Sequence, residues 1–118
     1  MFKFVKLSVW QRAVDFADAI YAASRSFPLE ERFGLTNQIR RAAISISSNI
    51  AEGSARSDSD FAKFIGYATG SLYEVVTQGQ IAKNQGMLAD DAYMTLHAEA
   101  EEISRMLSGL RRSLVSQP

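Results

Sequence analysis

The chain contains no cysteine and only one histidine, His97, and both scarcities limit its chemistry. Without cysteine there are no disulfide bonds and no thiolate metal sites. A single histidine excludes a metal site built from several histidines of one chain. The sequence also lacks the Glu-x-x-His pattern with which ferritin-like bundles hold two metal ions. We therefore expect no metal and no other cofactor.

Long apolar runs are also missing, and no stretch approaches the ~20 apolar residues of a membrane-spanning helix. The opening residues, MFKFVKLSVW, lack the apolar core and the small-residue cleavage site of a secretory signal peptide. Apolar residues at 47% and charged residues at 22% are typical of a globular protein. We expect one cytoplasmic domain over residues 1–118, with no membrane partner and no evident small-molecule substrate.

Net charge is absent too, since 13 basic residues balance 13 acidic ones. A neutral chain is a poor general binder of nucleic acid, because phosphate binding depends on clustered cations. The charge is uneven, however: residues 1–57 hold eight basic and five acidic side chains, and the remainder holds five and eight. The candidates for an anionic-ligand patch are Lys3, Lys6, Arg40, Arg41 and Arg56. Ion pairs and solvated surface are the alternative explanation of these residues.

Apolar residues spaced by three and four predict four amphipathic helices, over about 9–26, 36–56, 59–85 and 90–116. The central one is TNQIRRAAISISSNIAEGSAR, from Thr36 to Arg56, in which a narrow polar flank runs beside the apolar stripe. Pro28 ends the first helix and Gly86 ends the third. Sustained helical patterns with short connections favour an all-α fold, an antiparallel up-down-up-down four-helix bundle.

More apolar surface is present than one bundle core needs. The first helix carries two adjacent apolar stripes, one through Trp10 and the other through Phe16 and Ile20. Phe64 and Ile81 lie outside the core stripe of the third helix. The candidate subunit interface consists of Phe16, Ile20, Phe64 and Ile81, and we expect a homo-oligomer.

The second and third helices are predicted to form a hairpin that turns near Ser57. Facing residues then have numbers with a nearly constant sum, which places Arg41 level with Glu74 and Glu52 level with Lys63. We expect a partly buried Arg41–Glu74 contact and a more exposed Glu52–Lys63 contact.

The small and amide side chains of the same hairpin suggest further contacts. Asn49 and Glu52 are expected to hydrogen-bond across helices, and Gly53 is expected to let the second helix meet the third closely. Gly66 and Gly70 each cost up to about 1 kcal/mol in a helix interior relative to alanine. Close approach of another backbone is the expected compensation.

The sequence shows no pattern of residues typical of a catalytic site. A serine nucleophile needs a neighbouring base, yet the serines of the second helix have no histidine on that helix, and His97 is alone on an acidic one. Glu52 and Glu74 would lie several helical turns apart, too far for general acid–base catalysis. We expect a protein that is not an enzyme.

Two consecutive segments, QIRRAAISISSNIAEGSAR and DFAKFIGYATGSLYEV, carry a family resemblance. They resemble the four-helix bundle family named after proteins encoded in intervening sequences of 23S rRNA genes. The opening segment and, more loosely, the ending QGMLADDAYMTLHAEAEEISRMLSGLRRSL resemble the same family. The most specific segments are residues 27–28, 31–35, 49–53 and 70–74.

The resemblance implies a bundle that assembles into a ring, commonly a homopentamer, with no established enzymatic activity. One related branch, the accessory variability determinant of diversity-generating retroelements, associates with a reverse transcriptase and RNA. That branch is notably basic, whereas this chain is neutral. The favoured function is a non-catalytic, self-associating assembly or adaptor protein. The alternative is an RNA- or nucleic-acid-binding accessory factor.

Overall fold

The computed structural model describes residues 1–115, which form four α-helices, two short 3-10 turns and no strand. The helices are α1 (Ser8–Ser24), α2 (Leu35–Ser54), α3 (Asp58–Asn84) and α4 (Asp90–Val115). The turns are Lys3–Lys6 and Leu29–Glu31. The predicted all-α fold with four helices is confirmed. The predicted end of the fourth helix, at residue 116, lies outside the described residues.

Local capping explains where α3 begins and ends. The Ser57 hydroxyl accepts a hydrogen bond from the Asp60 backbone N–H over 3.3 Å. At the other end Gly86 has φ +75°, a left-handed conformation that glycine adopts without a steric penalty. The backbone N–H of Met87 then donates to the Ala82 carbonyl over 2.8 Å. This arrangement is a Schellman motif, and Gly86 ends the third helix as predicted.

Contacts between helices show that neighbouring helices run antiparallel. Gly53, near the end of α2, packs against the start of α3, whereas Ser45 hydrogen-bonds to Ser71 further along α3. Ile20, late in α1, lines a cavity with Tyr93 in the first turn of α4, whereas Arg12, earlier in α1, lies 3.9 Å from Glu99, further along α4. One end of the bundle therefore combines the starts of α1 and α3 with the ends of α2 and α4. We call it the basal end.

The apolar stripes of the helices meet in one core along the bundle axis. The α3 stripe with a spacing of three and four residues is buried throughout: Phe61, Ile65, Ala68, Leu72, Val75, Gly79 and Ala82. The corresponding stripe of α2 is also buried, except for the partly buried Leu35: Ile39, Ala42, Ile46, Ile50 and Gly53. The largest fully buried side chains are Phe16, Ile20, Ile39, Ile46, Ile50, Ile65, Leu72, Ile103 and Leu107.

Glycine has opposite roles at different positions of the α2–α3 hairpin. A Cβ built on Gly53 would lie 2.6 Å from Phe64 Cβ and 2.9 Å from Phe61 Cδ1, closer than real Cβ contacts occur. The predicted close approach of the two helices at this glycine is confirmed. A Cβ built on Gly66 or Gly70 would meet nothing within 4 Å. The expected backbone contact at these two glycines is therefore not made within the chain.

Candidate functional site

The five residues of the predicted anionic-ligand patch do not form one surface. Arg40 and Arg41 lie in the first turns of α2, whereas Lys3, Lys6 and Arg56 lie at the basal end. With a rise of about 1.5 Å per residue, Arg41 and Arg56 are roughly 22 Å apart along the helix axis. The prediction of a single patch is wrong, because Arg40 and Arg41 lie at one end of the bundle and the other three cations lie at the opposite end.

Arg40 is bound to α1 and forms part of the α1–α2 contact. Its Nε donates to the Ser24 hydroxyl over 2.8 Å, and Nη2 donates to the Tyr21 carbonyl over 3.4 Å. The guanidinium carbon lies 4.6 Å from the centre of the Tyr21 ring. Ser24 is buried and in turn donates to the Ile20 carbonyl over 2.7 Å. Arg40 is therefore a structural residue that holds the end of α1.

Substitution of Arg40 by alanine is expected to lower the free energy of unfolding by about 2 kcal/mol. The substitution removes a charged hydrogen bond to a buried hydroxyl and a cation–π contact. Chemical denaturation followed by circular dichroism measures the change. The neighbouring Arg41→Ala is the matched control and is expected to change stability by less than about 0.5 kcal/mol, because Arg41 is exposed. Equal effects of the two substitutions would refute the structural role.

Arg41 and Glu74 face the same groove between α2 and α3, which has a volume of about 460 Å³. The hairpin register therefore places them correctly. Both side chains are exposed, however, and no ion pair within 4.0 Å joins them in residues 1–115. The predicted partly buried contact is wrong. In a water-filled groove solvation competes with ion pairing, so the register alone does not bring the charges together.

The second predicted ion pair is replaced by a local one. Lys63 Nζ lies 3.8 Å from Asp60 Oδ1, three residues earlier on the same helix, and not against Glu52. Residues three apart on a helix are neighbours whatever the tertiary fold. Lys63 therefore has a carboxylate within reach that requires no contact across the hairpin.

Asn49 also bonds within its own helix and not across to α3 as predicted. Its amide nitrogen donates to the Ser45 carbonyl over 2.8 Å and to the Ser45 hydroxyl over 2.9 Å. The polar bond between the helices is made by the Ser71 hydroxyl, which donates to the Ser45 hydroxyl over 2.9 Å. Ser71 was not predicted, although its register opposite Ser45 is the signal that identifies it.

Two of the four residues predicted for the subunit interface belong to the core. Phe16 and Ile20 are each 1% exposed, so the prediction for this pair is wrong. Phe64 is half-buried, with its ring 4.8 Å from the guanidinium carbon of Arg56. Ile81 is 45% exposed on the outer side of α3. Of these four residues, Phe64 and Ile81 are the two that remain accessible to a second molecule.

The outer side of α3 is almost free of charge, and we call it the α3 face. It consists of Gly66, Tyr67, Gly70, Tyr73, Thr77 and Ile81. Tyr67 and Tyr73 are 57% and 60% exposed. Glu74 is the single charged residue in positions 64–82. This scarcity of charge is visible in the sequence and is the signal that identifies the surface.

Five exposed cations are found at the basal end. Lys3 and Lys6 come from the turn before α1, Arg56 follows α2, and Arg111 and Arg112 lie in the last turns of α4. Within residues 1–115 none of the five takes part in an ion pair within 4.0 Å. The two arginines of α4 were not predicted for this site, because only the bundle topology brings them to the same end as Lys3.

His97 and Ser47 each make a contact within their own helix. His97 Nδ1 lies 3.3 Å from Glu101 Oε1, one turn away on α4, and the Ser47 hydroxyl donates to the Ile44 carbonyl. Within residues 1–115 no cluster of three or more His, Cys, Asp or Glu side chains is placed to hold a metal ion. In the same residues, no helix has the length and apolarity required to cross a bilayer.

These features define an all-α four-helix bundle. The chain belongs to the family of 23S rRNA-intervening sequence proteins, whose sequence profile matches residues 5–109. Its fold is similar to that of a protein with unknown function from the S23 ribosomal protein family of Bacteroides thetaiotaomicron. The TM-score is 0.81 and the identity 22%, with 88% of this chain and 95% of that chain covered. No curated protein matches the chain.

Proposed function

We propose that the chain is a non-catalytic assembly or adaptor protein that self-associates through the α3 face. The observation that carries the proposal is the near absence of charge around α3 over residues 64–82. A helix that is hydrophobic all round is normally covered on all sides, and the exposed tyrosines of α3 extend its apolar surface beyond the core stripe. The core covers only one side of α3, and Tyr67 and Tyr73 on the other are more than half exposed. A second copy would cover the remaining side.

The open glycines of α3 support the same conclusion. Gly66 and Gly70 each weaken the helix by up to about 1 kcal/mol relative to alanine. Within the chain nothing lies within 4 Å of a Cβ built at either position, so no internal contact offsets this cost. Around the circumference of the helix, Tyr67 and Tyr73 lie on either side of the two glycines. A helix of another molecule would find a shallow strip there that permits close backbone approach.

An apolar groove beside the α3 face extends the available surface. It lies between α3 and α4, has a volume of about 450 Å³, and includes Leu72, Tyr73, Val76 and Ala100 in its walls. Tyr73 belongs to both the groove and the α3 face, so the two surfaces are continuous. Stable interfaces bury about 800 Å² per partner. Because the groove and the α3 face are continuous, a partner can bury both surfaces at once, which favours a stable contact over a transient one.

A second copy of the same chain is the occupant that fits the charge distribution. The chain has no net charge, and its two halves carry opposite excesses of three charges each, as eight against five and five against eight. Copies can therefore join without accumulating net charge. We propose a homo-oligomer, with the five copies that the family resemblance implies. A ring repeats every binding surface, which gives an adaptor multivalent contact with its partner.

Sedimentation equilibrium is expected to show an oligomer for the natural chain and a shift to monomer for Tyr73→Glu. The substitution places a carboxylate on the uncharged α3 face, and burying it without a partner costs several kcal/mol. Helical content measured by circular dichroism should be unchanged, because Tyr73 is exposed in the single chain.

Met94→Glu is the matched control for this experiment. Met94 is 67% exposed and lies on α4, outside both the α3 face and the adjoining apolar groove. This variant is expected to keep the mass of the natural oligomer. A natural chain that is monomeric at working concentrations would refute self-association. An oligomer that survives Tyr73→Glu would refute the α3 face as its interface.

A further inference from the structure

We infer that the basal end binds single-stranded nucleic acid, with the Phe2 ring stacking on a base and the basal cations contacting phosphates. The inference does not depend on self-association through the α3 face. It depends on an ordered aromatic array and on five cations that the fold collects from three parts of the chain.

The aromatic array is built by the segment before α1. The Phe2 and Phe4 rings are stacked with centroids 5.5 Å apart, and Phe4 meets Trp10 edge-on at 5.1 Å. The amide nitrogen of Gln11 donates to the Val5 carbonyl over 2.8 Å, which fixes the segment on α1. Phe2 ends the array and is 73% exposed. Its outer ring face is therefore held in place and open to an unpaired base.

The five exposed cations lie at the same end of the bundle as this array. In the sequence Lys3 lies between Phe2 and Phe4, and Lys6 lies between Phe4 and Trp10. The other three cations come from the ends of α2 and α4: Arg56, Arg111 and Arg112. The bundle measures 49 × 24 × 20 Å, so cations at one end of its long axis are separated across the bundle by at most about the two shorter dimensions. Exposed cations interleaved with aromatic rings are the combination with which proteins hold single strands.

Carboxylates are fewer at this end. Glu52, Asp58 and Asp60 lie where α2 meets α3, and Asp60 is already 3.8 Å from the Lys63 ammonium. The excess of cations therefore persists, and it favours a polyanion as the ligand. A base-stacked ring distinguishes a single strand from a duplex, whose bases are already stacked on one another. An anionic membrane would use the same cations, but it would not require a ring held in a stacked array.

Fluorescence anisotropy with a labelled oligouridine of about 12 nucleotides tests the inference on the full chain. Binding is expected at about 50 mM salt and should weaken about 50-fold at about 200 mM if four phosphates are contacted. Phe2→Ser is expected to weaken binding about tenfold at both salt concentrations without changing the salt dependence. The double variant Lys3→Gln/Lys6→Gln should reduce the slope of log affinity against log salt by about 1.4.

The matched control is Arg25→Gln/Arg32→Gln, which removes the same charge at the opposite end of the bundle. We expect it to bind within about twofold of the natural chain, because distant exposed charges are screened by salt. Absence of binding at about 50 mM salt would overturn the inference, as would natural affinity in Phe2→Ser or equal weakening by the two double variants. Binding to phosphatidylserine vesicles without binding to the oligouridine would also overturn it. A monomeric chain that binds the oligouridine refutes self-association alone.

Discussion

Replacement of Gly53 by alanine is expected to lower the free energy of unfolding by about 2 kcal/mol, although alanine is the better helix former. The new Cβ would lie 2.6 Å from Phe64 Cβ, which is attached directly to the α3 backbone. Only separation of α2 from α3 relieves such a clash. Overpacking costs about 3 kcal/mol at the upper end of its usual range, and helix propensity recovers about 1 kcal/mol.

Urea unfolding at one fixed protein concentration measures this effect, because self-association would make stability depend on concentration. Gly109→Ala is the matched control. A Cβ on Gly109 would approach only the Arg112 guanidinium, at 4.0 Å, so this variant is expected to gain up to about 1 kcal/mol. If both variants were stabilised to the same degree, the close contact between α2 and α3 at Gly53 would be refuted.

The cores of α2 and α3 were predictable because each helix has one apolar stripe. Ile39, Ile46 and Ile50 follow a helical period in the sequence and are all fully buried. Small residues at α3 positions Ala68 and Gly79 fit the same period and are also buried. A single stripe has only one orientation that places it in a core, so periodicity alone determines which side of the helix is buried.

The orientation of α1 was not predictable from the same rule. Its two adjacent stripes are both apolar, and periodicity does not say which one faces the core. The structure buries the stripe of Phe16 and Ile20 and leaves Trp10 half-buried beneath Phe4. Tyr21, on the stripe of Trp10, is exposed and covered in part by Arg40. These partners come from other segments, so the local sequence does not reveal them.

The sequence predicted which polar residues of α2 and α3 lie level with one another, but not which of them form hydrogen bonds or ion pairs. The constant-sum rule correctly placed Arg41 and Glu74 in one groove. It did not anticipate that Lys63 and Asn49 would bond to groups three or four residues away on their own helices. Such partners remain adjacent in any helix and cost no additional ordering. Hydrogen bonds and ion pairs within one helix therefore form in preference to contacts with an exposed partner on the neighbouring helix.

The cations that share the basal end could not be identified without the complete topology of the bundle. Lys3 and Arg112 are at opposite ends of the described sequence, and no spacing rule connects them. They lie at the same end because α4 returns to the end of the bundle where α1 starts. The predicted patch drew only on the first half of the chain, because no pattern in the sequence links Arg111 and Arg112 to Lys3 and Lys6.

Removal of the Phe16 ring is expected to have the largest effect on stability, a loss of about 3–5 kcal/mol in the Phe16→Ala variant. The ring is 1% exposed. It lies with Val75, Tyr93 and Leu96 around a residual cavity of only about 10 Å³, the lower limit for a single water molecule. Neighbours packed this closely relax little into the space that the ring leaves. The cost of the cavity therefore adds to the lost burial of the ring.

Tyr73→Ala, which removes a similar ring from the α3 face, is the control that separates core from interface. It is expected to change the stability of the dissociated chain by less than about 0.5 kcal/mol while lowering the mass of the oligomer in sedimentation. Phe16→Ala should show the opposite combination, with a large loss in urea unfolding even at concentrations where the natural chain is dissociated. If Phe16 were an interface residue, as the second stripe of α1 predicts, its substitution would dissociate the oligomer and leave the dilute chain unchanged. The structure requires the first result, because a side chain enclosed by α3 and α4 of its own molecule has no surface left to offer a second one.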